Sequence, residues 1–379
     1  MEATVDSDVA ETQQEDMGDR WSLLPPELLQ LIARRLRDTG DFARFRAVCT
    51  AWRAGAAGED APPQLPWVLE RRACGLRPGR QLLRLYSHSA GRMYRVPVGG
   101  RSLLLARGAC QGRVVATVDL SSTVLYNPFT REGRALPPPP HRPWPDGLFH
   151  VVDDGGGEGG CMVVNTCAET RELAWCRPGA GAEWKRAAGQ KNFRHSAYLG
   201  GRLFVNTAAA GETLVVDAAT GAVEAVVPPP PRENLAGARH DYLVASRGKL
   251  LRAVQHPRDG SQQAESAADC RFNMYQLNLD HARGGGTKAA AWTKVETIGD
   301  AALFFDDHGH GFSLPANEAA GLTRGCVYFV HEKRTWVDIW EYRFLCRYSV
   351  ADGRVDRAVP LPDTFGDTWV VPSLCRSDE

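Results

Sequence analysis

The side chains with the most metal-like spacing occupy one short segment, Asp306-Asp307-His308-Gly309-His310. Carboxylate and imidazole groups bind zinc and other divalent ions, but a site needs three or four converging ligands. Alternate residues of a strand face the same way, so His308 and His310 would converge if this segment were extended. A structural strand end or a solvated loop explains the segment more simply, and we predict no metal site.

Other residues carry weaker chemical signals. Cys161, Cys167 and Cys176 are spaced too irregularly for a zinc knuckle, and small buried thiols explain them better. The glycines from Gly155 to Gly160 are not followed by Gly-Lys-Ser/Thr and a helix, as a phosphate loop requires. No nucleophile-elbow or kinase signature is present. The sequence therefore predicts no catalytic residue, no cofactor and no enzymatic activity.

Composition excludes several classes of function. The 379 residues carry 45 Lys+Arg and 45 Asp+Glu, so the net charge is zero, which argues against a general nucleic-acid or membrane-surface binder. No apolar run approaches the length of a membrane span. Ten cysteines without a C-x-x-C pair, and no N-x-Ser/Thr sequon, favour a reducing compartment, cytoplasmic and/or nuclear.

The chain divides by composition into four parts. Residues 1–19 contain seven acidic and no basic residues, which predicts a disordered acidic N-terminus. Residues 20–60 have a helical pattern, residues 61–84 are expected to be a linker, and residues 85–379 are rich in short β-branched and aromatic runs. The last part predicts a large β domain.

The helical part predicts a small three-helix module. Pro25 and Pro26 suit a first helical turn, and an apolar stripe follows at helical spacing. Gly40 would end this helix and Asp41 would cap the next. The apolar positions are Leu24 before the first helix, then Leu28, Leu31, Ile32 and Leu36, and later Phe45, Val48, Cys49 and Trp52.

About forty residues cannot bury so many apolar side chains among themselves. A partner protein would cover the remainder, and six arginines between Arg34 and Arg53, against two acidic residues, indicate that this partner is acidic. The alternative is a helical cap that packs on the β domain. Pattern alone leaves both open.

Three segments of the β domain repeat one local order: strand, polar turn with glycine, strand, proline. Their prolines, Pro137, Pro228 and Pro360, are 91 and 132 residues apart, close to multiples of about 45 residues, the period of a four-stranded propeller blade. The 295 residues from 85 to 379 would supply six or seven blades. We therefore predict a mainly β fold, a β-propeller of six or seven blades, rather than a pair of β-sandwiches.

The helical part resembles the F-box motif. The residues that carry the resemblance are Leu24-Pro25-Pro26-Glu27-Leu28, Ile32, Leu36, Val48-Cys49 and Trp52-Arg53. F-box helices bind a Skp-family adaptor, which is joined to a cullin scaffold. The resemblance implies that the adaptor contacts Leu24, Pro25, Leu28, Ile32, Val48 and Cys49. Leu36 and Trp52 would be either core or adaptor contacts.

The β domain resembles the KIB-type propeller that is attached to F-boxes chiefly in plants. The matching segments include 125–130, 312–316, 325–329 and 369–374. Together the two resemblances imply a non-catalytic substrate receptor of a Skp–cullin–F-box ubiquitin ligase, with an unknown protein substrate and with neither nucleic acid nor membrane as partner. The alternatives are a ligase-independent scaffold or regulator and, less favoured, a metal-dependent propeller enzyme.

Overall fold

In the computed structural model the described residues form helices near the N-terminus and, further along the chain, strands and a short 3₁₀ helix at Ala267–Asp269. The structure describes residues 21, 23–56, 61–62, 65–70, 82–97, 103–110, 112–118, 122–138, 147–153, 160–167, 171–179, 181–187, 193–207, 211–231, 238, 240–257, 266–278, 290–306, 310–317, 321–334, 341–361 and 365–372. None of the helices in these ranges is long and apolar enough to cross a membrane.

The helices are α1 Pro26–Ala33, α2 Thr39–Ala47 and α3 Thr50–Ala54. We refer to residues 21–56 as the helical module. Proline at the first position of α1 costs no hydrogen bond there, and Glu27 lies at the positive end of the helix dipole. The module has a small core of its own, made of Leu29, Ala33, Phe42, Phe45 and Ala56.

Two details of the predicted helices are corrected. Asp38, not Asp41, caps α2, because its carboxylate accepts the backbone N–H of Asp41 at 3.1 Å. Gly40 therefore lies inside α2 rather than between two helices. The apolar residues from Phe45 to Trp52 do not share one helix, since Cys49 is extended and separates α2 from α3.

The strands, in chain order, are β1 Trp67–Glu70, β2 Leu82–Ser87, β3 Arg92–Pro97, β4 Leu103–Cys110, β5 Arg113–Val118, β6 Ser122–Tyr126, β7 Gly133–Ala135, β8 Gly147–Asp153, β9 Cys161–Cys167, β10 Glu172–Cys176, β11 Lys185–Arg186, β12 Phe193–Leu199, β13 Arg202–Thr207, β14 Thr213–Asp217, β15 Val223–Val227, β16 His240–Ser246, β17 Lys249–Pro257, β18 Cys270–Asn278, β19 Ala291–Val295, β20 Ala301–Phe305, β21 Gly311–Pro315, β22 Cys326–Arg334, β23 Glu341–Ser349, β24 Arg354–Pro360 and β25 Phe365–Val370.

These strands form six sheets, which are the six blades of a β-propeller. From the centre outward, blade 1 is β25-β1-β2-β3, blade 2 β4 to β7, blade 3 β8 to β11, blade 4 β12 to β15 and blade 5 β16 to β19. Blade 6 has five strands, β21-β20-β22-β23-β24, and its β20 and β22 are parallel. The propeller therefore has six blades, the lower of the two predicted numbers.

The ring is closed within blade 1. Its innermost strand, β25, comes from the C-terminal end of the chain and pairs with β1, where Trp67 faces Val370. Because β1 and β2 belong to this blade, the propeller begins at Trp67. The prediction of a linker over 61–84 is therefore wrong for the residues of β1 and for the first residues of β2.

The core of the propeller lies between the blades. Buried apolar residues form six clusters, one between each pair of neighbouring blades in the described chain. A middle strand is thus covered on both faces, which explains why β14 is a nearly continuous apolar run rather than an alternating one. The predicted proline stops are confirmed at Pro137 and Pro228, which follow the ends of β7 and β15, and at Pro360, the last residue of β24.

Candidate functional site

The helical module exposes large apolar side chains that its own core does not cover. Eight such side chains are exposed in the part of the chain that the structure describes, and five of them belong to this module. They are Trp21 at 56%, Leu23 at 78%, Leu28 at 48%, Leu31 at 50% and Val48 at 58% exposure. Such a concentration in one small unit makes the module a candidate interaction site.

The residues expected to contact an adaptor differ in exposure. Pro25, Leu28 and Val48 are exposed. Leu24 and Ile32 are half-buried against the module core, and Cys49 is a half-buried free thiol. Leu36 and Trp52, for which both roles were open, also pack on this core, and the indole N–H of Trp52 donates to the carbonyl of Trp21 at 2.9 Å.

Trp21, Leu23 and Leu31 are exposed residues that the predicted adaptor-contact set omits. Leu31 was recognisable, because it lies three residues after Leu28 and therefore on the same side of α1. Leu29, which is 1% exposed, takes the opposite side and supplies the core. Helix α1 is apolar on two sides, which is the pattern of a helix held between a core and a partner.

A second candidate site is the central channel, where the innermost strands meet. Blades 3 and 6 lie on opposite sides of the six-bladed ring. His310 precedes β21 of blade 6, yet its imidazole Nε2 donates to the carbonyl of Val151 on blade 3 at 2.5 Å. The imidazole thus crosses the channel. Complete burial lowers the pKa of His310 to about 4, so the ring is neutral at physiological pH.

Polar groups surround this crossing. The Asp306 carboxylate accepts the backbone N–H of His310 at 2.8 Å. His150 lies on the channel side of blade 3, with its ring centroid 6.5 Å from that of His310, and its Nδ1 is 3.1 Å from the Ser196 hydroxyl. Ser196 is 1% exposed, so this Ser–His pair is closed to solvent.

The segment 306–310, for which no metal site is predicted, is described at Asp306 and His310. His308 and Asp307 lie outside the described residues. Among the described ones, no group of three His, Cys, Asp or Glu side chains is placed to hold a metal ion. His310 contacts the carbonyl of Val151 instead.

A cavity of about 310 Å³ lies at the end of the propeller where the innermost strands β8, β12, β16 and β25 finish. Its walls are mostly apolar, and its polar groups include the Tyr198 hydroxyl and Ser313. The lining residues are Val151, Val152, Asp153, Ala197, Tyr198, Ala245, Gly311, Phe312, Ser313, Leu314, Pro315 and Val371. The volume is at the lower limit of ligand pockets.

Comparison with known families matches both parts of the chain. The KIB1-4 β-propeller profile matches residues 85–352, and an F-box-like profile matches residues 21–59. The first match covers well over half of the chain. The chain belongs to the KIB1-4 β-propeller family. Its N-terminal part is an F-box-like domain, as the resemblance of the helical motif predicts.

Two curated plant sequences are similar to a short part of this KIB1-4 protein. An F-box protein of Arabidopsis thaliana is 55% identical over 42 residues, which are 11% of this chain and 10% of that protein. A putative F-box protein of the same plant is 43% identical over 53 residues, 14% of this chain and 15% of that protein. This chain therefore matches only a small fraction of the length of these relatives.

Among solved structures, a Bacteroides caccae protein of unknown function is 12% identical to this KIB1-4 chain. The match covers 80% of this chain and 99% of the bacterial one, with a TM-score of 0.42.

Cysteines of the KIB1-4 propeller are consistent with the structural role expected for them. Cys161 and Cys176 are buried thiols on neighbouring strands of blade 3. Burial, and to a lesser extent the neighbouring Cys161, raises the pKa of Cys176 to about 12. The Cys176 thiol is therefore protonated. Cys167 is the last residue of β9.

Proposed function

We propose that this protein is the substrate-receptor subunit of a Skp–cullin–F-box ubiquitin ligase. In this proposal the helices of the module form a complete three-helix F-box and bind the adaptor, and the propeller binds a protein target. The observation that supports it best is the concentration of exposed apolar side chains on an F-box-like domain.

The exposed residues are apolar, and their burial in an interface would contribute binding free energy. Burial of one large apolar side chain contributes about 1.5–3 kcal/mol. Leu28 and Val48 belong to the predicted adaptor contacts, and Trp21, Leu23 and Leu31 extend them. We propose that the half-buried residues Leu24, Ile32 and Cys49 form the margin of this interface.

Charge supports an acidic adaptor. Arg34, Arg35 and Arg53 of the module are exposed. The two acidic residues between Arg34 and Arg53 add little free negative charge to the surface. Asp38 is 8% exposed, and Asp41 pairs with Arg44 at 2.7 Å. The surface of the module therefore carries positive charge beside the apolar residues. Complementary charges accelerate association and select the partner.

The proposed role is positioning rather than catalysis. A receptor that binds both adaptor and target converts their encounter into an event at high effective concentration. The buried Ser196–His150 pair and the neutral His310 are in keeping with a structural channel. We propose that the protein acts in the cytoplasm and/or the nucleus, where its free thiols would stay reduced.

Val48→Glu tests the adaptor interface. Val48 is 58% exposed, so the substitution leaves the module core intact but places a charge in the proposed interface. Loss of a central apolar contact costs about 2 kcal/mol, which is roughly a 30-fold increase in the Kd for the adaptor. Titration of purified full-length protein with a Skp-family adaptor measures this change.

Val226→Glu is the matched control. Val226 is also an exposed valine, at 49%, but it lies on β15 of blade 4. Its substitution should leave the adaptor Kd unchanged. Equal adaptor affinities for the Val48 variant and the unmodified protein would refute the proposed interface.

A further inference from the structure

The helical module is attached to the outer strand of blade 1 through the N-terminus of α2. The Tyr94 hydroxyl on β3 donates to the carboxylate of Asp38, the same group that caps α2. Asp38 is 8% exposed and Tyr94 is half-buried, so this hydrogen bond is partly shielded from water. Burial and the neighbouring Asp38 carboxylate both raise the pKa of Tyr94, which keeps the phenol protonated as a donor.

The backbone of α2 also touches the Tyr94 ring directly. A Cβ atom built on Gly40 would lie 2.2 Å from the nearest ring carbon, so only glycine permits this approach. The ring itself is stacked on Trp67 of β1, with centroids 4.4 Å apart and planes at 13°. Trp67 is 2% exposed and belongs to the core between blades 1 and 2. Tyr94 therefore joins the module to the propeller core.

Two ion pairs lie at the edge of this contact. Asp41 pairs with Arg92 of β3 at 3.5 Å and with Arg44 of its own helix at 2.7 Å. Exposed ion pairs contribute little to stability. The Asp38–Tyr94 hydrogen bond and the fit of Gly40 on the ring are the specific parts of the contact.

One edge of this contact, at Arg92, lies level with the end of blade 1 that borders the cavity. Trp67 of β1 is paired with Val370 of β25. The registers of β2 and β3 place Ser87 and Arg92 level with this pair. Val371, the next residue, lines the cavity. The Arg92 edge of the contact is therefore level with the end of blade 1 that borders the cavity, and Tyr94 lies two residues further along β3.

We infer that Asp38 and Tyr94 are positioning residues that hold the helical module on blade 1 in one orientation. Anything bound at the cavity end of the propeller then stays at a fixed place relative to the exposed apolar residues of the module. The consequence for ubiquitin transfer rests on the proposed function, whereas the fixed orientation does not.

A distance measurement between the two parts tests this inference. Spin labels on noncanonical amino acids at Gln30 of α1 and Val223 of blade 4, both exposed, avoid the ten native cysteines. Double electron–electron resonance should give one narrow distance peak for the unmodified protein. The double variant Gly40→Ala/Tyr94→Phe should lose this peak and give a broad distribution, with the propeller still folded by circular dichroism.

Gly133→Ala/Tyr198→Phe is the matched control for the double variant. A Cβ on Gly133 would make an ordinary contact of 3.6 Å, and Tyr198 lies on blade 4, so the narrow peak should remain. Asp38→Asn keeps an oxygen that accepts from Tyr94 and should also keep the peak. A broad distribution in the unmodified protein, or a narrow one in the Gly40/Tyr94 variant, would overturn the inference.

Adaptor titrations on the same proteins separate positioning from folding of the module. The Gly40/Tyr94 variant should bind the adaptor with an unchanged Kd, because neither residue is among the exposed apolar residues. A loss of adaptor affinity in this variant alone would show that the contact supports the module fold and would overturn the positioning role. Failure of the unmodified protein to bind any adaptor would refute the proposed function, while the distance data would still decide the orientation.

Discussion

His310 is the buried imidazole that crosses the central channel, and its charge state should make the stability of the propeller depend on pH. In the unfolded chain the imidazole has its ordinary pKa of 6.5, whereas in the folded protein the pKa is about 4. Above pH 6.5 both states are neutral. As the pH falls towards 4 the unfolded state gains the proton first, so the free energy of unfolding decreases.

His310→Gln removes this titration. The difference between the two pKa values corresponds to about 3 kcal/mol, so between pH 6.5 and 4 the unmodified protein should lose about that much stability relative to the variant. Urea unfolding of both proteins over this pH range measures the difference. A difference that stays constant with pH would contradict a neutral, buried His310 in the channel.

At the scale of residues, the sequence indicates which positions are apolar but not which way they point. Leu28 and Leu29 are neighbours of identical type, yet one is 48% and the other 1% exposed. Only the packing of α1 on α2 and α3 decides between them. Asp38 and Asp41 are both acidic residues near the start of α2, and the sequence pattern did not distinguish them; the structure shows that Asp38 accepts the backbone N–H that caps the helix.

At the scale of elements, the outer turn of blade 4 illustrates a hairpin that local signals determine. The Asp217 carboxylate accepts the backbone N–H groups of Ala219 at 3.0 Å and Thr220 at 2.6 Å. Gly221 completes the turn with φ at +79°. Its conformation favours glycine, and a Cβ there would also lie 2.8 Å from the carbonyl oxygen of Arg186 on blade 3.

Gly221→Ala should therefore destabilise the protein more than Gly353→Ala does. Gly353 occupies the matching turn of blade 6 with φ at +65°, but a Cβ there would reach its nearest neighbour, the Tyr348 hydroxyl, only at 4.0 Å. We expect a loss of about 1 kcal/mol for Gly353→Ala from backbone strain and about 2–3 kcal/mol for Gly221→Ala. Urea unfolding measures both. Equal losses would show that the contact with Arg186 is unimportant.

Turns and proline stops of this kind were predictable because they depend on residues close in sequence. The extra strand of blade 6 was not. β20 is fully buried and pairs in parallel with β22, so it has no alternating pattern and no hairpin turn between the two.

At the scale of the whole molecule, a propeller of six or seven blades follows from the repeat, but the strand that closes the ring does not. The 45-residue period predicts repeated sheets and a ring that protects their edges. The strand β1 lies within the predicted linker. It belongs to blade 1 because it pairs with β25, which is almost 300 residues away. Such long-range pairing leaves no local signal in the sequence.

The closing strand should determine whether the propeller forms one cooperative unit. β25 fills the innermost position of blade 1, and Trp369 in it is 2% exposed and donates its indole N–H to the Phe305 carbonyl of blade 6 at 2.9 Å. A chain truncated after Pro362 lacks this strand and leaves the inner edge of β1 unpaired. Because each blade is packed between two neighbours, we expect the truncated chain to lose its sharp thermal transition and to aggregate.

Truncation after Pro372 provides the control, because it retains β25. Addition of a synthetic peptide that spans residues 363–373 to the shorter chain during refolding should restore solubility and a single thermal transition, since the peptide can supply the missing strand. A chain ending at Pro362 that unfolds at the same temperature as the chain ending at Pro372 would show that closure through β25 contributes nothing to the stability of the ring.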